Sequence, residues 1–127
     1  VHDRQTGITR RIASDLANTV RLVSTSKASI SSDGRYIAYS ILENLPSIIS
    51  GRVYVYDQQT GVSTEIGLGL LPLVSDDGRY VAFQEEFIDG DNGLFLRDRQ
   101  TGNTITFAEV GQTFGLGDFT PDGRYLA

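Results

Sequence analysis

The sequence predicts an all-β protein built from four-stranded antiparallel blades, and three observations carry that prediction. The phrase Asp-Gly-Arg-Tyr, followed by an aliphatic residue and alanine, starts at Asp33, Asp77 and Asp122, at intervals of 44 and 45 residues. A second phrase, Asp-x-x-Thr-Gly, alternates with it at Asp3, Asp57 and Asp98. Short runs of β-forming residues border both, among them Tyr36-Ile37-Ala38-Tyr39 and Val53-Tyr54-Val55-Tyr56. A period of this length belongs to repeated supersecondary units rather than to one globular fold.

Each phrase is a corner. In Thr120-Pro121-Asp122-Gly123, proline presets the first central position of a turn, aspartate suits the second, and Gly123 accepts the positive φ that closes a hairpin with a bulge. Asp33-Gly34 and Asp77-Gly78 repeat that corner. Beyond it, Tyr36 to Tyr39, Tyr80-Val81-Ala82-Phe83 and Tyr125-Leu126-Ala127 read as strands buried on both faces. In the second phrase, the carboxylates of Asp3, Asp57 and Asp98 can accept from backbone N–H groups of loops ending at Gly7, Gly61 and Gly102. One unit therefore has strands at 28–31, 35–41, 52–57 and 62–66, and the next at 72–75, 79–85, 94–98 and 103–108. Four antiparallel strands per 40-to-50-residue repeat is the pattern of β-propeller blades.

These phrases resemble those of the bacterial TolB-like propellers, whose turns read Pro-Asp-Gly-Arg-x-aliphatic-Ala and Asp-x-x-Thr-Gly. The likeness is closest at Thr120-Pro121-Asp122-Gly123-Arg124-Tyr125-Leu126-Ala127 and at Leu96-Arg97-Asp98-Arg99-Gln100-Thr101-Gly102, and it spans nearly the whole chain. It is specific for fold and poor for function, because the same turn and strand chemistry serves periplasmic scaffolds, secreted repeat proteins and the propeller halves of some serine peptidases. Ser32 and Asp76 stand where the family often has proline, substitutions that a type I turn accommodates.

Val1-His2-Asp3 aligns with Val55-Tyr56-Asp57, so the chain begins within a third strand, and Tyr125-Leu126-Ala127 stops partway through a second. The expected organisation is two full blades plus two half-blades: a half-blade at 1–26, blades at 27–67 and 68–110, and a half-blade at 111–127. That amounts to about three blades, whereas a closed propeller usually needs at least four. With no methionine, even at residue 1, the expectation is a fragment, a processed product or part of something longer. Open strand edges are templates for another chain. The two half-blades are complementary, so head-to-tail contact between identical copies would close a ring or run on as a filament. Two copies would make six blades, the number found in TolB-like propellers; the alternative is completion within one polypeptide. Joining Ala127 to Val1 would leave the shared blade without a counterpart of residues 42–54, and so with a clipped third strand.

Composition sets further bounds. At 39% hydrophobic and 21% charged residues, the chain is ordinary for a globular domain. Fourteen glycines suit many turns, and three prolines are few enough to leave strand ladders intact. A net charge of −5 argues against nucleic acid or anionic membrane as a partner, since both are bound through clustered lysine and arginine. The absence of cysteine excludes disulfides, thiolate metal sites and a cysteine nucleophile. The longest apolar run, 66–74, is broken by Gly67, Gly69 and Pro72 and falls far short of the roughly 20 residues of a spanning helix, so no membrane insertion is expected. The TolB-like resemblance implies a periplasmic or extracellular location.

No catalytic constellation emerges. His2, the one histidine, aligns with Tyr56 and Arg97 at a variable surface position, and Gly-x-Ser-x-Gly does not occur. The glycines at 67, 69 and 111–117 lack the following lysine and helix start of a phosphate-binding loop. The repeated carboxylates at 3, 33, 57, 77, 98 and 122 read as turn caps. The acidic stretch Glu85, Glu86, Asp89, Asp91 and Asn92 occurs once, between the second and third strands of the second full blade. Asp89, Asp91 and Asn92 alternate oxygen side chains that can wrap calcium, an ion that takes six to eight oxygens; Gln100 stands where an EF-hand loop has its glutamate. The plain reading of that stretch is a solvated acidic loop, and beyond this calcium candidate no cofactor is expected. Arg35, Arg79 and Arg124 open strands, where each guanidinium can pair with a nearby carboxylate such as Asp33 or with the following blade. A ring of them could hold an anion, which the acidic balance disfavours. Tyr36, Tyr80 and Tyr125 read as packing residues between blades, because every copy has one.

The sequence thus points to a non-enzymatic scaffold that binds a protein partner or identical copies through open strand edges. Two rivals are the propeller domain of a larger serine peptidase, its hydrolase domain lying outside these residues, and a calcium-dependent or lectin-like extracellular module.

Overall fold

The computed structural model describes residues 1–12, 22–25, 27–45, 48–86, 92–108 and 117–127. Nine strands lie within them: β1 (Leu22–Thr25), β2 (Ser29–Ile30), β3 (Tyr36–Leu45), β4 (Ile48–Asp57), β5 (Val62–Leu68), β6 (Leu70–Val74), β7 (Tyr80–Glu86), β8 (Asn92–Asp98) and β9 (Thr104–Ala108). They form two antiparallel sheets. One has the order β1-β3-β4-β5 with β2 also paired to β3, and the other the order β6-β7-β8-β9. These are the two meanders that the repeat demands, each turning at an Asp-Gly-Arg corner and again at an Asp-x-x-Thr-Gly corner.

One departure lies in the first sheet. Residues 42–51, expected as a loop, continue the ladder through Leu42↔Gly51, Glu43↔Ser50, Asn44↔Ile49 and Leu45↔Ile48. The β-formers Ile41, Ile48 and Ile49 on both arms favour this longer hairpin. Its extra length gives β3 an edge for β1, paired as Leu22↔Glu43 and Thr25↔Ile41. Leu22–Thr25 falls in the stretch assigned from sequence to the preceding half-blade, so the outer edge of β3 is covered in two pieces. The ladders from third to fourth strand shift register between Val53 and Tyr54 and between Leu94 and Phe95. Counted back from Asp57 and Asp98 these are the same position, a bulge repeated in both blades that increases local twist.

Alternation along the strands gives each sheet two packed faces. Ala38, Val53 and Val55 of the first sheet meet Val74, Val81 and Phe83 of the second, with Tyr36, Ile66 and Phe95 at the margin. The other face of the first sheet gathers Tyr39, Ile41 and Tyr54 with Ile12 and Tyr56, so the amino-terminal segment covers it. Cross-strand aromatic pairs reinforce both layers: Tyr39–Tyr54 and Phe83–Phe95 each stack with centroids 5.7 Å apart. Ala38, Val53, Val55, Val81 and Ala82 have no exposed surface at all, which requires sheets pressed face to face.

Two hydrogen bonds pin neighbouring blades in register. Val74 N–H donates to Ser29 Oγ at 2.9 Å, and Ser32 N–H donates to Asp76 Oδ1 at 2.7 Å. The second accounts for the residues that replace proline: a proline at 32 has no N–H to give, and one at 76 has no carboxylate to receive it. The chain passes from β5 to β6 through Gly69 (φ 147°) and Leu71 (φ 52°), the latter the one non-glycine with positive φ among the described residues.

Candidate functional site

Because neighbouring strands run antiparallel, the corner after the first strand and the corner after the third lie at the same end of each sheet. The first is a hydroxyl-bearing turn. Ser31 Oγ donates to Asp33 Oδ1 at 2.6 Å and accepts from Tyr36 N–H at 2.9 Å, while Asp33 Oδ1 also accepts from Arg35 N–H at 2.9 Å. Ser75, Asp77, Arg79 and Tyr80 reproduce the set at 2.6, 2.9 and 2.9 Å. Thr120, Asp122, Arg124 and Tyr125 do so again. The hydroxyl two residues before each aspartate escaped the reading of the sequence, although its recurrence as Ser31, Ser75 and Thr120 is visible there. The other corner is an Asx turn. Asp57 Oδ1 accepts from Gln59 N–H, Asp98 Oδ1 from Gln100 N–H and Asp3 Oδ1 from Gln5 N–H, at 2.9, 2.9 and 2.8 Å. All six turn glycines have φ between 67° and 78°.

The two corners of a blade are joined. Arg35 Nε and Nη2 donate to Asp57 Oδ1 and Oδ2 at 3.1 and 2.9 Å, and Arg79 donates to Asp98 in the same way at 3.1 and 2.8 Å. Arginine was expected to pair with Asp33 or with the following blade; it pairs instead with the other phrase of its own blade. The fork geometry of guanidinium on carboxylate makes these the strong class of ion pair. Gln58 and Arg99, each one residue after the paired aspartate, donate from the side chain to the Gly34 and Gly78 carbonyls. Their own N–H groups donate to the Arg35 and Arg79 carbonyls, both at 2.9 Å.

These contacts set the acidity of the corner. The Arg35 guanidinium, aided by backbone N–H donors, lowers the Asp57 carboxyl from 3.8 to about 2, and Arg79 pulls Asp98 down likewise. Because folding depresses the pKa, the unfolded chain binds the proton first as the pH falls. The stabilisation is whole above about pH 4 and disappears as the pH drops through about 2. Urea midpoints measured from pH 5 to pH 2 are expected to fall for the natural protein. They should fall less for Asp57→Asn, which starts lower at pH 5 and has no proton to take up.

The corners also hold blade to blade. Two guanidiniums lie over the Tyr36 ring, that of Arg35 at 4.7 Å and that of Arg99 from the next blade at 5.4 Å, and the ring packs against Gly78 of that blade. Arg79 and Arg124 lie at 4.8 and 5.0 Å over Tyr80 and Tyr125. Tyr125 is 59% exposed. His2 bonds through Nδ1 to Thr9 Oγ1 at 2.8 Å in an exposed hairpin. Asp89 and Asp91 of the calcium candidate lie outside the described residues, and Asn92 opens β8 with its backbone paired to Glu86. No group of three or more His, Cys, Asp or Glu residues suited to a metal ion occurs among the described residues.

No protein-family model and no curated protein matches the sequence. Solved structures do. The β-propeller domain of the trilobed protease from Pyrococcus furiosus, which has an open velcro topology, superposes with a TM-score of 0.72 at 18% identity, over 84% of this chain and 33% of that one. An acylaminoacyl peptidase from Pyrococcus horikoshii gives 0.67 at 19%, over 80% of this chain and 16% of that one. TolB from Acinetobacter baumannii gives 0.60 at 20%, over 81% and 26%. The fold is that of a β-propeller, and the chain spans about a third or less of the propeller proteins it resembles. Among the described residues no helix is long and apolar enough to cross a membrane.

Proposed function

We propose that this chain is a non-enzymatic propeller scaffold of the Pro-Asp-Gly-Arg type, acting in the periplasm or outside the cell, that binds protein through its loops and open blade edges, a second copy of itself included. The observation that carries the proposal is the use made of the repeated polar residues. Asp33, Asp57, Asp77, Asp98, Arg35 and Arg79 are all engaged in holding corners, so the groups that recur do architecture and not chemistry. What differs between blades lies at the opposite end of the sheets, in the connections from second to third strand. The experiment is the mass in solution by light scattering across a concentration series. The expected result is twice the 13.9 kDa of one chain, or a higher multiple. A species that stays at 13.9 kDa at every concentration would remove self-completion.

A second reading is favoured by the likeness to peptidase propellers: the chain is the propeller part of a larger serine peptidase. Sequencing the source transcript beyond Ala127 separates the two, because the peptidase reading requires a downstream Gly-x-Ser-x-Gly nucleophile elbow.

A further inference from the structure

The Asp-Gly-Arg corner of each whole blade contains a reactive pair together with the groups that restrain it. An aspartate followed by glycine is where a chain rearranges most readily, because glycine has no side chain to shield its nitrogen. The Gly34 backbone nitrogen can bond to Cγ of Asp33, its proton and the carboxyl hydroxyl leaving as one water, to close a five-membered succinimide. Water then adds to either ring carbonyl and breaks that carbonyl's bond to the nitrogen. One route restores aspartate. The other leaves isoaspartate, in which the chain runs on through Cβ and Cγ and is one methylene longer. The water released on closing equals the water consumed on opening, so the mass is unchanged. Asp77-Gly78 can rearrange in the same way.

Ring closure needs a protonated carboxyl, freedom for that carboxyl to turn towards the glycine, and a glycine N–H free to lose its proton. The corner withholds all three. Asp33 Oδ1 is held by Ser31 Oγ at 2.6 Å and by Arg35 N–H at 2.9 Å, and Asp77 Oδ1 by Ser75 Oγ and Arg79 N–H at the same distances. The Ser31 hydroxyl and the Arg35 N–H hold the Asp33 carboxyl below its usual range, so little of it is protonated. Gly34 N–H donates to the Ser31 carbonyl and Gly78 N–H to the Ser75 carbonyl, both at 2.8 Å. One serine thus restrains both reactants, its hydroxyl the carboxylate and its carbonyl the glycine nitrogen. Ser31 and Ser75 are buried, so water does not compete for these bonds.

We infer that Asp33-Gly34 and Asp77-Gly78 are isoaspartate-forming modification sites, kept dormant by the hydroxyls and carbonyls of Ser31 and Ser75 and released when a corner opens. The consequence reaches the second corner of the blade. Gln58 and Arg99 donate to the Gly34 and Gly78 carbonyls, and Arg35 and Arg79 pair with Asp57 and Asp98. A methylene inserted before the glycine moves that carbonyl and the following guanidinium out of register with their partners, so a rearranged corner does not close again. The modification needs no enzyme, and it converts a transient opening into a lasting one.

The test follows isoaspartate at the two sites by peptide mapping during incubation at neutral pH, in buffer and in urea. In the folded natural protein both sites are expected to rearrange at least about ten-fold more slowly than in the unfolded chain, since only the open form reacts. Ser75→Ala is expected to speed Asp77 about ten-fold in the folded state and to leave Asp33 unchanged, because the lost hydrogen bond opens only its own corner. Ser31→Ala should do the converse, and Ser75→Thr, which keeps a hydroxyl, should retain the natural rate at Asp77. Circular dichroism identifies the variants that are folded, and the natural protein compared in buffer and in urea needs no variant. Equal rates in buffer and in urea overturn the inference. So does a folded serine-to-alanine variant that leaves its own corner as slow as before, or that speeds both corners alike.

Discussion

Replacing Gly78 with alanine is expected to destabilise the protein by about 3 kcal/mol, read as a lower urea midpoint at unchanged slope. Two costs combine. At φ 70° the backbone is left-handed, where a Cβ costs about 1 kcal/mol. That Cβ would also overlap Cγ, Cδ2 and Cε2 of the Tyr36 ring. The ring has little room to yield, because the Arg35 and Arg99 guanidiniums lie over it at 4.7 and 5.4 Å, so overpacking adds about 2 kcal/mol. Gly61→Ala separates the two costs: its φ is 72°, and nothing lies within 4 Å of its Cβ. It should lose only about 1 kcal/mol. Equal losses in the two variants would mean that the tyrosine does not wedge one blade against the next.

What the sequence discloses and what it conceals follow from the range of each interaction. Turn chemistry is local, so Asp33-Gly34, Asp57 to Gly61 and their repeats mark corners without any knowledge of the fold. The strands between them follow, because β-formers bounded by two turns have one place to go. The link between the corners is not local. Arg35 and Asp57 are 22 residues apart, and only the meander brings them to one end of a sheet. With Asp33 two residues away, proximity along the chain pointed to the wrong carboxylate. Asp76 was concealed for a similar reason: its partner, the Ser32 N–H, lies 44 residues back in another blade. β1 went unseen because its partner edge exists only once the β3–β4 hairpin runs on to Leu45 and Ile48. Ser31 was the exception, a recurrent hydroxyl at short range whose role as both donor and acceptor in the turn the pattern of residue types alone did not suggest.

The division between the two ends of the blades bears on function. At one end, two corner geometries recur three times each, and in the two whole blades their arginines and aspartates are spent on joining one corner to the other. Such an end is rigid but uniform, suited to holding angles between blades rather than to selecting a ligand. The opposite end carries the long β3–β4 hairpin in one blade and the acidic connection before β8 in the next. On the scaffold reading proposed above, a partner would be read where the blades differ, on a base that the corners keep fixed.

Phe83→Ala is expected to have the largest effect of any single truncation, about 4 kcal/mol, measured by urea or thermal unfolding. Phe83 is 4% exposed, stacks on Phe95, and belongs to the cluster in which Ala38, Val53 and Val55 of the first sheet meet Val74 and Val81 of the second. Removing the ring opens a void between two sheets whose separation is set elsewhere. Asp76 holds the Ser32 N–H and Ser29 holds the Val74 N–H, so the blades cannot slide together to fill the space. That is the condition under which truncation in a core costs most, since the cavity penalty is added to the lost transfer energy. Ile105 supplies the contrast. It is as apolar but 57% exposed on β9, the last strand of its sheet, and Ile105→Ala should change stability by no more than about 0.5 kcal/mol. If the two truncations cost the same, the sheets do not press against one another through this layer, and the face-to-face stacking of blades described above is wrong.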